Sequence, residues 1–511
     1  MQIQQYLEHY KLARNPFSEE DAQTDAVFKN HCIGDTHHPA WDKVYGDPGE
    51  PATAIVFGEK GAGKTAVRLQ IARELDQHNR QHSTERVLVV HYDDFNPFLD
   101  RFRDRAGRRN TKTEKVLSQW KLWDHMDAIL SLGVTGLVDA ISETQPANEQ
   151  VPCEVEAADV DKLERHQARD ILLLAACYDQ SLTGTFRDRW HELRTRLRFS
   201  IWRSYLPVIL GWSVSVLVAM VLIYASIKGI WSSELTTFQR FLRGTMIIGT
   251  LGVLLAAWSP SLLRFWRCWR LARGVVRHMR VGFHDTAPLR RLLGCFTQTE
   301  LSGQPLPTKE RTDDRYELLG KFQLVLKSLG YTGVVVLVDR LDEPHLINGS
   351  AERMKLLLWP MLDNKFLKQA GLGIKLMLPS ELIPFVDRES KDFYERSRLD
   401  KQNMIRSFHW TGEALYDVAG ARMRACATDG SKPTLGDWFD DDVSDLRLME
   451  AMRTLRTPRH LFKFLYRLLI AHCNAHLDHE PHYRISSNIF EPTLALYQRE
   501  QEAFERGLGA V

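Results

Sequence analysis

Eight consecutive residues carry the chain's clearest chemistry: Gly58-Glu59-Lys60-Gly61-Ala62-Gly63-Lys64-Thr65, the spacing GxxxxGK[ST] in full. Each residue type has a reason to be there. Glycines let successive backbone N–H groups wrap phosphate oxygens, and a helix beginning at the loop adds the positive end of its dipole. Lys64 is expected to reach the β- and γ-phosphates and Thr65 to ligate Mg²⁺, with Gly58, Gly61, Gly63 and Ala66 lining the phosphates. The expected ligand is ATP (or GTP) with Mg²⁺.

A phosphate cradle needs an acid near its metal, at the end of a buried strand. Val334-Val335-Val336-Leu337-Val338-Asp339 supplies one, which makes Asp339 the second expected Mg²⁺ ligand beside Thr65. Arg340 follows it, then Asp342 and Glu343. One of these two carboxylates has to orient the attacking water if hydrolysis occurs, Asp342 first and Glu343 second. The expected catalytic set is therefore Lys64, Asp339, Asp342 and Glu343.

These groups need a frame to hold them. Residues 51–58 and 86–92 are short apolar runs of the buried-strand kind, and a helix-like stretch follows the glycine loop. Further strands are expected at 334–338, 374–378 and 403–410, and the pattern is helical from Gly412 onward. Lys64 and Asp339 stand 275 positions apart, yet must meet at one nucleotide. Strand–helix–strand units run to about 30 residues or more each, so most of the intervening chain reads as an insertion. The expected organisation is 1–97 and 308–411 as the two parts of a nucleotide-binding domain, 98–307 as a helical insertion, and 412–511 as a helical lid or effector-coupling region. The fold class is α/β, with a parallel sheet flanked by helices.

Within the insertion, residues 206–227 and 244–263 contain no charge over 22 and 20 positions. Each is long enough, as a helix, to cross a hydrocarbon core of about 30 Å. Arg187, Arg189, Arg194, Arg196, Arg198 and Arg203 precede the first segment, and Arg264, Arg267, Arg270, Arg273, Arg277 and Arg280 follow the second. The connection holds only Lys228, Arg240 and Arg243 against Glu234. The positive-inside rule then puts both arms, and both termini, on the cytoplasmic side of a cell (inner) membrane. Trp202, Tyr205, Trp231, Trp266 and Trp269 sit at headgroup levels. Small residues recur every four positions at Gly211, Ser215 and Ala219 and at Gly252 and Ala256, faces able to pack the hairpin on itself or on another subunit.

A glycine loop of this kind, a strand end of the form hhhhD-x-x-D and an apolar hairpin between them resemble the KAP family of P-loop NTPases. That family belongs to the additional-strand class related to the signal-transducing NTPases. Its members usually carry adjacent aspartates, whereas here Arg340 follows Asp339 and Glu343 closes the motif. The resemblance implies a slow, membrane-anchored nucleotide switch that forms homo-oligomers and acts on a protein effector, with bacterial members suggesting antiviral defence. It also points to further residues. Ser380, after the strand at 374–378, stands where a γ-phosphate sensor would be, or is a plain turn serine. Arg396 and Arg398 precede the fifth strand, where related ATPases place an arginine that completes a neighbour's site. Thr457-Pro458-Arg459-His460 opens a helix much as the sensor-2 turn does, which would bring Arg459 to the nucleotide.

Composition bounds the alternatives. The 511 residues carry 67 Lys+Arg and 65 Asp+Glu, so no global charge favours nucleic acid. No aromatic stacking pattern accompanies the basic run 101–115, which reads as a solvated or membrane-surface face. Seven cysteines without a CxxC pair exclude a disulfide scaffold and suit a reducing compartment. Residues 1–21 hold no apolar core of a cleavable signal. The histidines at 472, 476, 479 and 482 read as a polar helix end more than as a metal site. Two rival functions stand: a nucleotide-gated pore or transporter subunit, against which neither segment offers an internal acid, base or amide, and a non-hydrolysing nucleotide-sensing scaffold.

Overall fold

Five apolar runs become five strands: β1 (Ala54–Gly58), β2 (Arg86–Tyr92), β3 (Tyr331–Val338), β4 (Leu372–Pro379) and β5 (Asn403–Ile405). They form one parallel sheet in the order β2-β3-β4-β1-β5, flanked by helices, among them α1 (Lys64–Gln81). The computed structural model describes the chain apart from residues 33, 35, 107–111, 143–150, 182–183, 228–236, 283, 429 and 506–511. All of β1 and β4, and β3 apart from Thr332, is buried, the continuous apolar pattern that a sheet covered on both faces requires. Val338 registers with Leu376, and Gly58 with Pro379. The glycine loop, Asp339 and Ser380 therefore all leave the sheet at its C-terminal edge.

The fifth strand is shorter than the expected 403–410. Pairing with β1 runs only from Asn403 to Ile405. Phe408 then donates its N–H to the Phe57 carbonyl and stacks on His38, its ring centroid 3.5 Å away. Trp410 turns inward instead of extending the edge.

The chain divides into two units: Met1–Phe95 with Thr332–Val511, and Asn96–Tyr331. The second unit is helical among the described residues, and includes α2 (Leu122–Ser142), α3 (Arg165–Tyr178), α4 (Trp202–Ile227), α5 (Thr237–His278) and α6 (Asp313–Ser328). It reaches further than 98–307 because α6 belongs to it. Arg315 of α6 makes a fully buried ion pair with Asp127 of α2 at 3.0 Å, and Tyr178 of α3 donates to the same carboxylate at 2.8 Å. A buried pair of this kind ties its two helices together, since leaving either charge alone costs several kcal/mol.

Helices α4 and α5 are long and apolar enough to cross a membrane, and their apolar windows are almost wholly exposed. Leu210, Leu217, Ile223, Ile248, Leu251 and Leu255 all face outward. The helices overrun the expected 206–227 and 244–263. In particular, α5 continues unbroken past Leu263 and buries Cys268, Ala272 and Val275, with no proline between Pro260 and its end at His278. Hairpin packing also differs from a small-on-small face. Trp258 lies over Gly211 and donates its indole N–H to Ser215 at 3.0 Å, while Gly252 faces open space. Not every flanking arginine is free for headgroups. Arg189 is buried between Asp139 (2.7 Å) and Asp179 (3.0 Å), and Arg280 pairs with Asp124. The connecting residues Lys228, Trp231 and Glu234, part of the basic run (107–111) and part of the acidic stretch (143–150) lie outside the described residues.

In the first unit, α7 (Gly412–Cys426), α8 (Asp445–Leu455), α9 (Pro458–Ala475) and α10 (Ser487–Glu505) pack around Leu415, Leu448, Leu465 and Leu468. Tyr6, Leu7 and Phe17 join this same core, so the first residues of the chain pack with its last helices. Arg422 of α7 ties the two together, pairing with Asp25 and donating to the Pro16 carbonyl at 2.6 Å.

A lysine sits inside the sheet. Lys375 of β4 registers between Ala54 and Leu337, and its ammonium donates to the carbonyls of Tyr45 (2.9 Å) and Ala52 (2.8 Å). Burial lowers its pKa to about 8. Between that value and the ordinary lysine pKa of about 10.4, the unfolded chain binds a proton that the folded chain does not, so stability rises with pH. Urea unfolding of the full chain should gain up to about 3 kcal/mol across this window from Lys375, and Lys375→Met should flatten the rise. An unchanged slope in the variant would show that the lysine keeps its proton.

Candidate functional site

The loop from Gly58 to Thr65 joins β1 to α1. Gly61 and Gly63 have φ of +87° and +88°, a region where a side chain is strained. Gly61 also admits a neighbour, since a Cβ there would meet the Arg459 Cβ at 2.5 Å. The loop is held from two sides: the Arg459 N–H donates to the Gly61 carbonyl at 3.4 Å and the Trp410 indole N–H to the Ala62 carbonyl at 2.8 Å. The turn at Thr457-Pro458-Arg459 thus reaches the glycine loop, with Pro458 as the first residue of α9 and the Thr457 hydroxyl capping it.

Lys64 lies along the loop and donates to the Gly58 (2.7 Å) and Glu59 (2.9 Å) carbonyls. Burial lowers its pKa, while Asp339, Asp342 and Glu381 pull it back up. Thr65, in the first turn of α1 with Ala66, donates its hydroxyl to Asp339 Oδ2 at 2.9 Å. Two residues 274 positions apart are in direct contact. Asp339 is only 3% exposed, and burial raises its carboxyl pKa against the opposing pull of Arg68, Thr65 and the Arg340 N–H.

Asp342 and Glu343 are treated differently. Arg340 takes φ +59°, an uncommon left-handed turn for a residue with a side chain, and reverses the chain directly after Asp339. Its guanidinium pairs with Glu343 at 3.3 Å, and the Glu343 side chain stays 55% exposed. Asp342, 23% exposed, faces the glycine loop and pairs with Lys60 at 3.3 Å. Ser380 follows Pro379, the register partner of Gly58, and its hydroxyl lies 3.5 Å from Glu381. Arg398 is exposed in a left-handed turn before β5. Because β5 is parallel to β1 and Asn403 pairs with Ala54, Arg398 precedes the strand at the end remote from Gly58. It is not brought to this chain's own loop.

Sequence reasoning missed Arg68, Asp93 and Glu381. Arg68 is buried on α1, where it pairs with Asp93 just beyond β2 and lies 3.4 Å from Asp339. A signal was available: Arg68, Ile71 and Leu75 share one helical face, and an arginine in an apolar stripe needs buried acids. Nothing in the local pattern around Asp93 or Glu381 distinguishes them from ordinary strand-end acids.

Beside the loop lies a cavity of about 130 Å³. Phe28, Val67, Trp410 and Phe462 supply its apolar wall, and Gln70, Arg459 and the first turn of α1 its polar side. Among the described residues no three His, Cys, Asp or Glu side chains converge to hold a metal by themselves. Thr65 and Asp339 offer two hard oxygen donors, the kind that Mg²⁺ takes alongside phosphate oxygens and water.

Comparison with protein-family models, with curated proteins and with solved structures found no match. The pairing of Arg68 makes its own test. Arg68→Met removes the nearest counter-charge of buried Asp339 and the ion-pair partner of half-buried Asp93, and should cost about 3 kcal/mol in urea unfolding. A loss below about 0.5 kcal/mol, the usual size of a surface change, would mean that the two acids do not depend on it.

Proposed function

We propose that the chain is a membrane-anchored nucleoside triphosphatase, with ATP as its first-choice substrate, that works as a slow nucleotide switch. The observation that carries this reading is the Thr65–Asp339 contact, which joins the glycine loop to the acid ending β3 at one point on the sheet edge. The strand order supports the additional-strand class and, with the apolar hairpin, the KAP resemblance, since β4 stands between β1 and β3. In this reading the phosphates lie along Gly58, Gly61 and Gly63, and the base enters the cavity beside α1.

Thr65 and Asp339 would hold Mg²⁺. When bound, the ion neutralises charge on the β- and γ-phosphates. Lys64 exchanges its two loop carbonyls for phosphate oxygens. Asp342 accepts a proton of the attacking water, whose oxygen bonds to the γ-phosphorus as the bond to the β–γ bridging oxygen breaks. Asp342 suits this role better than Glu343, because its ion-pair partner Lys60 belongs to the glycine loop and its side chain is less exposed, whereas Glu343 is paired with Arg340 and exposed. Arg459, seated on Gly61, couples the helices after Gly412 to the state of the nucleotide. Arg398, remote from its own loop, suits the site of a neighbouring copy in a homo-oligomer.

The exposed faces of α4 and α5 support the anchor, because soluble surfaces seldom carry apolar patches beyond a few hundred Å². Both arms of the hairpin then lie on the cytoplasmic side. A signalling or antiviral-defence role on a protein effector follows from the KAP resemblance alone. The Arg340–Glu343 pair favours one second reading, a nucleotide-sensing scaffold without turnover.

Lys64→Ala should abolish nucleotide binding measured by calorimetry. Asp342→Asn should keep binding and lower turnover by about 100-fold or more, whereas Glu343→Gln should keep turnover within a few-fold. A wild type that binds without turning over makes the scaffold reading correct, and one that binds no nucleotide ends both. The chain should also stay with membranes through carbonate washing and leave only in detergent, and its recovery in the soluble fraction would refute the anchor.

A further inference from the structure

At the foot of the α4–α5 hairpin, the insert encloses a second cavity, of about 350 Å³. Arg187, His191, Arg264, Arg290 and Arg291 line it, and no carboxylate does. None of the four arginines makes an ion pair with an acid among the described residues. Four guanidinium groups around one space, without a counter-charge, repel one another and create a positive field that only an anion relieves.

The cavity is built to keep this arrangement. Arg264 is fixed from its membrane-side helix by donating to the carbonyls of Ser204, Gly294 and Phe296, the last at 2.6 Å. Arg290 lies over the Phe265 ring, 4.2 Å from its centroid. The Ser261 hydroxyl, on the same wall, is buried and has no hydrogen-bond partner. Val208 and Phe265, also on the wall, are exposed apolar residues continuous with the outward faces of α4 and α5. The space is thus cationic at one end and opens onto apolar helix surface at the other.

The geometry points to a headgroup site for an anionic phospholipid: the arginines and Ser261 hold the phosphate, and the acyl chains lie along α4 and α5. This assignment rests on the reading of the hairpin as a membrane anchor. A phosphate alone would satisfy the charge but leave the apolar wall bare, which is why the lipid is the occupant.

The test uses the full chain, purified in detergent, delipidated, and offered phosphatidylglycerol, phosphatidylcholine or inorganic phosphate, with retained ligand measured by native mass spectrometry. Phosphatidylglycerol should be retained about tenfold over phosphatidylcholine, and R290Q/R291Q should remove about that preference, as two headgroup-facing charges predict. R267Q/R270Q, on exposed side chains outside the cavity, should keep it. If R290Q/R291Q does not fold, Arg187→Gln, on an exposed side chain, should still lower the preference by about fivefold. Unchanged retention in the cavity variants, or displacement of the lipid by inorganic phosphate, overturns the site. The two readings fail differently: a lost anchor releases the chain from membranes without detergent, whereas a lost site leaves it membrane-bound and indifferent to R290Q/R291Q.

Discussion

The carboxylate of Asp339, buried at the end of β3, must be met by donors that the rest of the sheet brings to it. Thr65 and Arg68 arrive on α1, one turn apart, and Arg68 can serve only because Asp93 beyond β2 shares its charge. Three elements are thereby fixed against one another: α1 must start at the loop after β1, β2 must end beside it, and β3 must stop level with both. The loop's own shape follows. With α1 held by Asp339, the chain from Gly58 has few residues in which to turn, and the positive φ at Gly61 and Gly63 is what makes the turn possible.

That constraint explains how the chain tolerates an insertion as large as the one between β2 and β3. The two strands are parallel neighbours in the sheet, so the insert leaves after the C-terminal end of β2 and returns at the start of β3, a span set by the strands and not by what the insert contains. The entropy of closing a loop grows only with the logarithm of its length, so a long excursion between adjacent strands costs little more than a short one. The insert meets its own needs by burying ion pairs, Arg315 with Asp127 and Arg189 with Asp139 and Asp179, that lock its helices without help from the sheet.

Within the insert, α5 changes surroundings along its length. Its apolar window is exposed, Arg264 crosses into hydrogen bonds with backbone carbonyls, and Cys268, Ala272 and Val275 enter the insert's packed interior. A single unbroken helix thus joins the hairpin to the insert's core. The arginines along it divide their work: some, such as Arg280, serve buried partners, and others line the cationic cavity.

What the sequence determined by itself was whatever depends on near neighbours in the chain. The glycine loop, the apolar runs of β1 to β4, the proline-started helix at Pro458 and the two uncharged segments follow from local sterics, backbone hydrogen bonding and hydrophobic patterning. Even the meeting of Thr65 and Asp339 was legible, from the expectation that the glycine loop and the acid ending β3 share one place. Tertiary structure alone decided the rest. It separated Asp342, facing the loop, from Glu343, captured by Arg340. It assigned α6 to the insert, packed Tyr6, Leu7 and Phe17 against the last helices, ended β5 at Ile405, and set Arg398 at the end of the sheet remote from the glycine loop. It also buried Lys375 and recruited Arg68 and Asp93. Each of these outcomes depends on which distant group comes within a few ångströms of a charge or a ring, and no spacing along the chain encodes that distance.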